Sequence, residues 1–189
     1  MERLIGKDDF QESCKKYDEG YYKDKLNEGL EFQDYVVTLL QKHGIILMGH
    51  ASKKYQIERG ENLWGAEIKY DQRRKKTGNV YIETHEKSDP RNHSWIPSGI
   101  YRADNTWLYI IGDEIEIHIH SIKYLRYLHH KTQKKGNYRS VTIATSKGFL
   151  LPLKDSRKYS LVRFVKKSEE DMELVIGREL EESQTKGNV

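Results

Sequence analysis

Residues Trp64–Lys87 read WGAEIKYDQRRKKTGNVYIETHEK, and acidic and basic side chains fall on alternate positions of this stretch. Successive side chains of an extended chain point to opposite faces. Glu67, Lys69 and Asp71 therefore share one face of an expected strand, and Glu83, His85 and Lys87 share one face of the next. Ala66, Ile68 and Tyr70 alternate with the first set, and Val80 and Ile82 with the second, so each strand should bury one face and present a charged one. Thr77-Gly78-Asn79 has turn chemistry, which predicts a hairpin. Carboxylates clustered beside a lysine are what a divalent-metal phosphodiesterase needs. Hard cations take oxygen ligands, and the attacking water gains from a positive neighbour.

Upstream, GLEFQDYVVTLLQKHG (29–44) carries Leu30, Phe32, Val36, Val37, Leu39 and Leu40 on a broad apolar stripe, with Gly44 as a stop. This predicts a helix packed on a sheet, with Glu31 at its start. GIILMGHASKKYQIERG (44–60) should be a strand with an irregular middle. Downstream, residues 88–105 read as a loop, and TWLYIIGD (106–113) and EIEIHIHS (114–121) as strands turning at Gly112-Asp113. Ile122, Leu125 and Leu128 stand at helical spacing, a basic loop is expected over 131–140, and short strands over 141–156. The expected organisation is a polar N-terminal extension (1–28), one α/β domain with a mixed central sheet flanked by helices (29–166), and a charged tail (167–189) expected to fray.

The 189 residues with 36% hydrophobic content suffice for one core. Net charge is +4 and the isoelectric point about 8.9, with basic residues clustered at Arg73-Arg74-Lys75-Lys76, at Lys131, Lys134 and Lys135, and at Arg157-Lys158. Such clusters beside a carboxylate site favour a polyanionic partner. Cys14 is the only cysteine, which excludes an internal disulfide and a cysteine-based zinc site. MERLIGKDDF lacks the apolar core of a secretory signal and no run reaches membrane-spanning length, so a soluble, cytoplasmic protein is expected. Trp95, in a loop beside Arg91 and His93, is the candidate for stacking on unpaired bases, whereas Trp107 should lie in the core. His118, His120, His129 and His130 lack a convincing zinc partner and read as surface histidines.

The order helix with Glu31, strand, strand with Asp71, strand with Glu83 resembles the core of the PD-(D/E)XK, or restriction-endonuclease-like, nucleases. Within that group, GAEIKYD, TGNVYIE, PSGI and RADNTWLY are similar to a pattern of phage and mobile-element nucleases. The resemblance spans roughly residues 29–121. It implies that Asp71 and Glu83 bind the metal, with Glu31 contributing through water, and that Ser98 and Asp104 shape the edge of the site. His85 stands where the pattern has lysine, so Lys69 or Lys87 would supply the cation. Two other frames remain open. Glu67-Ile68-Lys69 is itself an acid-x-lysine element with Glu58 upstream, and Glu67 could take the role of Asp71 and pair with Glu83. The pairing of Asp71 with Glu83 is preferred because it sets one carboxylate on each hairpin strand.

The resemblance thus implies a metal-dependent DNA endonuclease using Mg or Mn, with Arg73, Arg74, Lys75, Lys76, Trp95, Lys134 and Lys135 on nucleic acid. A homodimer is expected where two strands are cut. The other reading is a nuclease scaffold that binds DNA or RNA without cutting it.

Overall fold

Helix α1 (Glu19–Lys42) opens the part of the chain that the computed structural model describes, residues 19–47, 62–168 and 171–176. Phe32, Val36, Leu39 and Leu40 are buried along one stripe, and Gly44, at φ 79°, ends the helix with its N–H on the Gln41 carbonyl. The helix begins at Glu19, so the expected boundary at residue 28 falls inside it. Gly29 faces open space there, and no packing step marks the position. The strand expected over 44–60 lies largely outside the described residues.

The remaining elements are β1 (Ala66–Tyr70), α2 (Arg74–Thr77), β2 (Asn79–Glu86), β3 (Ile96–Pro97), a 3-10 turn (Gly99–Tyr101), β4 (Leu108–Gly112), β5 (Glu116–Ser121), α3 (Ile122–Lys135), β6 (Ser140–Ile143), β7 (Ser146–Pro152), α4 (Leu153–Tyr159), β8 (Val162–Lys166) and β9 (Met172–Ile176). They form a five-stranded sheet ordered β1-β4-β5-β8-β9 and a four-stranded sheet ordered β3-β2-β7-β6. The larger sheet is mixed, with β1 parallel to β4 and the other pairs antiparallel. One face packs Ala66, Ile110, Ile117, Ile119 and Phe164 against the stripe of α1. The other places Tyr109 and Ile111 against Val80, Ile82, Phe149 and Leu151 of the smaller sheet and Leu125 of α3. Each such buried side chain contributes roughly 1.5–3 kcal/mol.

The hairpin expected over 66–87 does not form: β1 and β2 belong to different sheets. Gly78, at φ 66°, caps α2 with its N–H on the Arg74 carbonyl instead of turning a hairpin. Arg74 draws this connection inward, donating to Asp113 at 2.5 Å and to Glu116 at 3.1 Å. Glu116 also accepts from Arg157 at 2.9 Å and Arg163 at 2.9 Å, so three guanidinium groups offset one buried carboxylate. Of the four histidines expected on the surface only His130 is exposed: His118 and His120 are fully buried beside this network, and His129 is buried with its Nδ1 2.9 Å from the Tyr101 hydroxyl. His118 and His120 project from β5 beside Glu116 and sandwich Ser156 of α4, whose hydroxyl is 3.1 Å from His118 Nδ1 and 3.0 Å from His120 Nε2.

Three smaller differences follow from pairing and length. Residues 172–176 of the expected tail form β9, because β8 offers them an open edge. Helix α3 runs to Lys135 before Gly136 ends it, which takes in half of the expected basic loop. Trp107 is exposed, its indole donating to the Trp64 carbonyl at 2.5 Å, because it precedes the buried register of β4.

Candidate active site

Glu67 and Lys69 project from β1 towards the smaller sheet, opposite to the side covered by α1. Glu67 is 1% exposed, and its Oε1 lies 2.9 Å from Lys69 Nζ. Its other oxygen, Oε2, is buried and has no hydrogen-bond partner. Across the gap, Glu83 of β2 brings Oε1 to 3.9 Å from the same ammonium. Burial pulls the Lys69 ammonium down, but the Glu67 and Glu83 carboxylates outweigh it and hold the group well above the ordinary lysine range. Its side chain as a whole keeps 35% exposure.

Glu83 is fixed from both sides. Ser98 Oγ donates to its Oε1 at 2.6 Å, and Ser146 Oγ donates to its Oε2 at 3.1 Å. Tyr81, two residues earlier on β2, lies 2.7 Å from Ser146 Oγ. Burial pushes its phenol up to about 12, the neighbouring Glu83 adding to the rise. Tyr109, beside Glu67 in the β1–β4 register, is likewise held well above its usual range, first by burial and then by Glu67. Ser98 reaches Glu83 because its N–H binds the Thr84 carbonyl at 3.0 Å and Gly99 follows at φ 50°. A β-carbon at Gly99 would overlap the Glu83 carbonyl, so the PSGI segment requires glycine there.

Of the residues singled out from sequence, Glu67, Lys69 and Glu83 come together, and Ser98 joins them. Asp71 does not. Its carboxylate accepts the Arg73 and Tyr81 N–H groups, each at 3.1 Å, and so fixes the turn between the sheets. Glu31 is exposed on α1, which covers the other side of the larger sheet. His85 turns its Nδ1 to Thr84 Oγ1 at 3.1 Å, past a bulge that follows Glu83. Lys87 donates to the Pro90 carbonyl at 2.5 Å and the Asn92 carbonyl at 3.0 Å, holding its own loop. Arg74 is buried, which removes it from any nucleic-acid surface, while Arg73, Lys75, Lys76, Lys134 and Lys135 are exposed. Trp95 is half-buried between Lys147 at 4.3 Å and Lys87 at 4.8 Å. Asp104 pairs with Arg102 at 2.9 Å. Glu58 lies outside the described residues. Ser146 and Tyr109 carry no signal in the sequence that links them to Glu83, whereas Tyr81 could have been read from its alternation with it.

A magnesium or manganese ion is commonly held by one or two carboxylates, with water and substrate phosphate completing its shell. Glu67 Oε2, buried and unpartnered, fits such a donor, and Glu83 stands across the same ammonium. Among the described residues no group of three or more His, Cys, Asp or Glu is arranged to hold a metal. The chain is a mixed α/β protein in which Glu67, buried, meets the partly exposed Lys69 and Glu83 between two sheets. Comparison with protein-family models, with curated proteins and with solved structures finds no match. Among the described residues no helix is long and apolar enough to cross a membrane.

Proposed function

We propose that this chain is a metal-dependent DNA endonuclease with a restriction-endonuclease-like core, its centre formed by Glu67, Lys69 and Glu83. The observation that carries the reading is the buried Glu67 carboxylate, with one oxygen on Lys69 and the other unpartnered. Leaving a buried acceptor without a partner costs about 1–3 kcal/mol, and a site that binds a ligand there gives that cost a use. The same reading favours the frame in which Glu67 pairs with Glu83 over the one that uses Asp71.

Glu67 and Glu83 would hold Mg or Mn, which when bound polarises the phosphate and acidifies a water. Lys69 keeps a positive charge beside the reacting phosphate, where charge builds as water attacks in line with the leaving oxygen. Ser98 and Ser146 hold both oxygens of Glu83, so its carboxylate keeps one orientation through the reaction. Glu67 in turn orients Lys69 at 2.9 Å.

The test is incubation with plasmid, linear and branched DNA in Mg or Mn, beside Glu67→Gln and Glu83→Gln. Cleavage by the parent and its loss in both variants are expected. Equal cleavage by the variants would remove the site assignment. DNA binding with no cleavage under either metal would leave a nucleic-acid-binding protein on the same scaffold.

A further inference from the structure

Tyr124 and Tyr127 are exposed one turn apart on α3, with ring centroids 5.7 Å apart. Tyr159, at the end of α4, extends the row, its centroid 5.3 Å from that of Tyr124. Neighbouring rings are inclined at 40° and 51°, so they do not stack on each other. Both ends of the row are cationic: Lys131 Nζ lies 4.7 Å from the Tyr127 centroid, and Lys158 Nζ 5.9 Å from that of Tyr159. Helix α3 also carries Lys123, Arg126, Lys134 and Lys135, and no Asp or Glu occurs between Glu116 and Asp155.

We propose that this row is a stacking platform for an unpaired DNA strand. Bases of a single strand present flat apolar faces to aromatic rings, and the phosphates between them take up neighbouring cations, an arrangement tolerant of sequence. A duplex keeps its base faces stacked inside and would engage the lysines but not the rings. An acidic peptide would likewise use the charge and leave the tyrosines idle. The row also has a destination. His130, one turn beyond Tyr127, has its ring 6.3 Å from Tyr101, and Tyr101 lies 6.0 Å from His85, two residues past Glu83. The proposal rests on the nuclease reading for that destination and deepens it by naming single-stranded DNA as the substrate.

The test measures fluorescence anisotropy of labelled oligo(dT) with the full chain, without divalent metal. The parent is expected to bind it more tightly than a blunt duplex of equal length. Tyr124→Ala with Tyr127→Ala should weaken binding about tenfold or more, whereas the double Tyr→Phe variant, which keeps both rings, stays within about threefold. Lys131→Ala should weaken binding and lower the salt dependence. All three substituted positions are exposed, and thermal melts check that the variants fold. Parent-like binding by the double alanine variant overturns the proposal, as does tighter binding to duplex, oligo(rU) or polyglutamate. Tyrosine-dependent binding without cleavage in Mg or Mn would sustain the platform and remove the nuclease reading. Glu67-dependent cleavage with unaltered binding in the double alanine variant would do the reverse.

Discussion

Lys69 Nζ sits 2.9 Å from Glu67 Oε1, and this one contact joins the larger sheet's buried acid to a cation that also faces Glu83 of the smaller sheet. The acid is not tolerable alone. A carboxylate at 1% exposure needs a counter-charge, and Lys69 is the cation that supplies it. Lys69→Met should therefore destabilise the fold by about 3 kcal/mol, towards the low end for a broken buried pair because the lysine is a third exposed. Glu67→Gln keeps the shape and should cost less stability, yet lower cleavage by about 100-fold or more. Urea unfolding and single-turnover cleavage separate the two effects; a Lys69→Met variant as stable as the parent would mean that the Glu67–Lys69 contact does not hold the fold together.

Asp71 yields the opposite signature. Both of its oxygens accept backbone N–H groups, from Arg73 and from Tyr81, in the manner of a cap. Asp71→Ala should lose about 1 kcal/mol of stability, comparable to removal of a helix cap, and keep cleavage within about threefold of the parent. A collapse of cleavage at unchanged stability would return Asp71 to the catalytic centre.

The alternation that made β1 and β2 readable is local, and both strands form, but β1 buries Glu67 on the face expected to be presented to solvent. Whether two strands pair is decided by distant residues, which is why the hairpin was misread. Thr77-Gly78-Asn79 serves a hairpin turn and a helix cap equally well, and the choice fell to Arg74, which is drawn inward by Asp113 and Glu116. The cluster was half legible for the same reason. Glu67 and Lys69 are neighbours on one strand, but Ser146 reaches Glu83 only through the β2–β7 pairing. His118 and His120 alternate as surface residues would, and only α4 packed on them and β8 paired beside β5 make them core. The helix of Ile122, Leu125 and Leu128 needed no such help, since its burial period is written in its own residues.

Gly99 links this packing to activity. At φ 50° and against the Glu83 carbonyl it has no room for a side chain, and Ser98 beside it holds Glu83 Oε1 at 2.6 Å. Gly99→Ala should cost about 1–3 kcal/mol in backbone strain. It should also reduce cleavage well beyond the loss of folded protein, because Glu83 and Ser98 move together. Ser98→Ala isolates the second effect, with a smaller loss of cleavage and near-normal stability. Denaturation midpoints and cleavage rates of the pair check this; a Gly99→Ala variant with parental rates would detach the PSGI turn from the site.

The buried histidines set how the fold responds to acid. His120 meets Ser156 of α4 and the ring of His118, 5.9 Å away, while Arg163 of β8, Arg74 of α2 and Glu116 surround His118 on its other side. Burial, with His118 adding to it, pulls the His120 imidazole down to about 3. Between about pH 6.5 and that value the unfolded chain takes a proton that the fold refuses, so stability must fall as pH falls. The slope from one such group is about 1.4 kcal/mol per pH unit. His118 and His129 are lowered in the same direction, chiefly by burial, and add to it. His120→Gln, which can still bond Ser156, should flatten the decline between pH 6.5 and 4.5 by roughly that slope while leaving part of it to the other two histidines. Urea unfolding at pH 7, 6 and 5 reads the difference directly. A variant with the parent's pH dependence would show that His120 already carries a proton inside the fold.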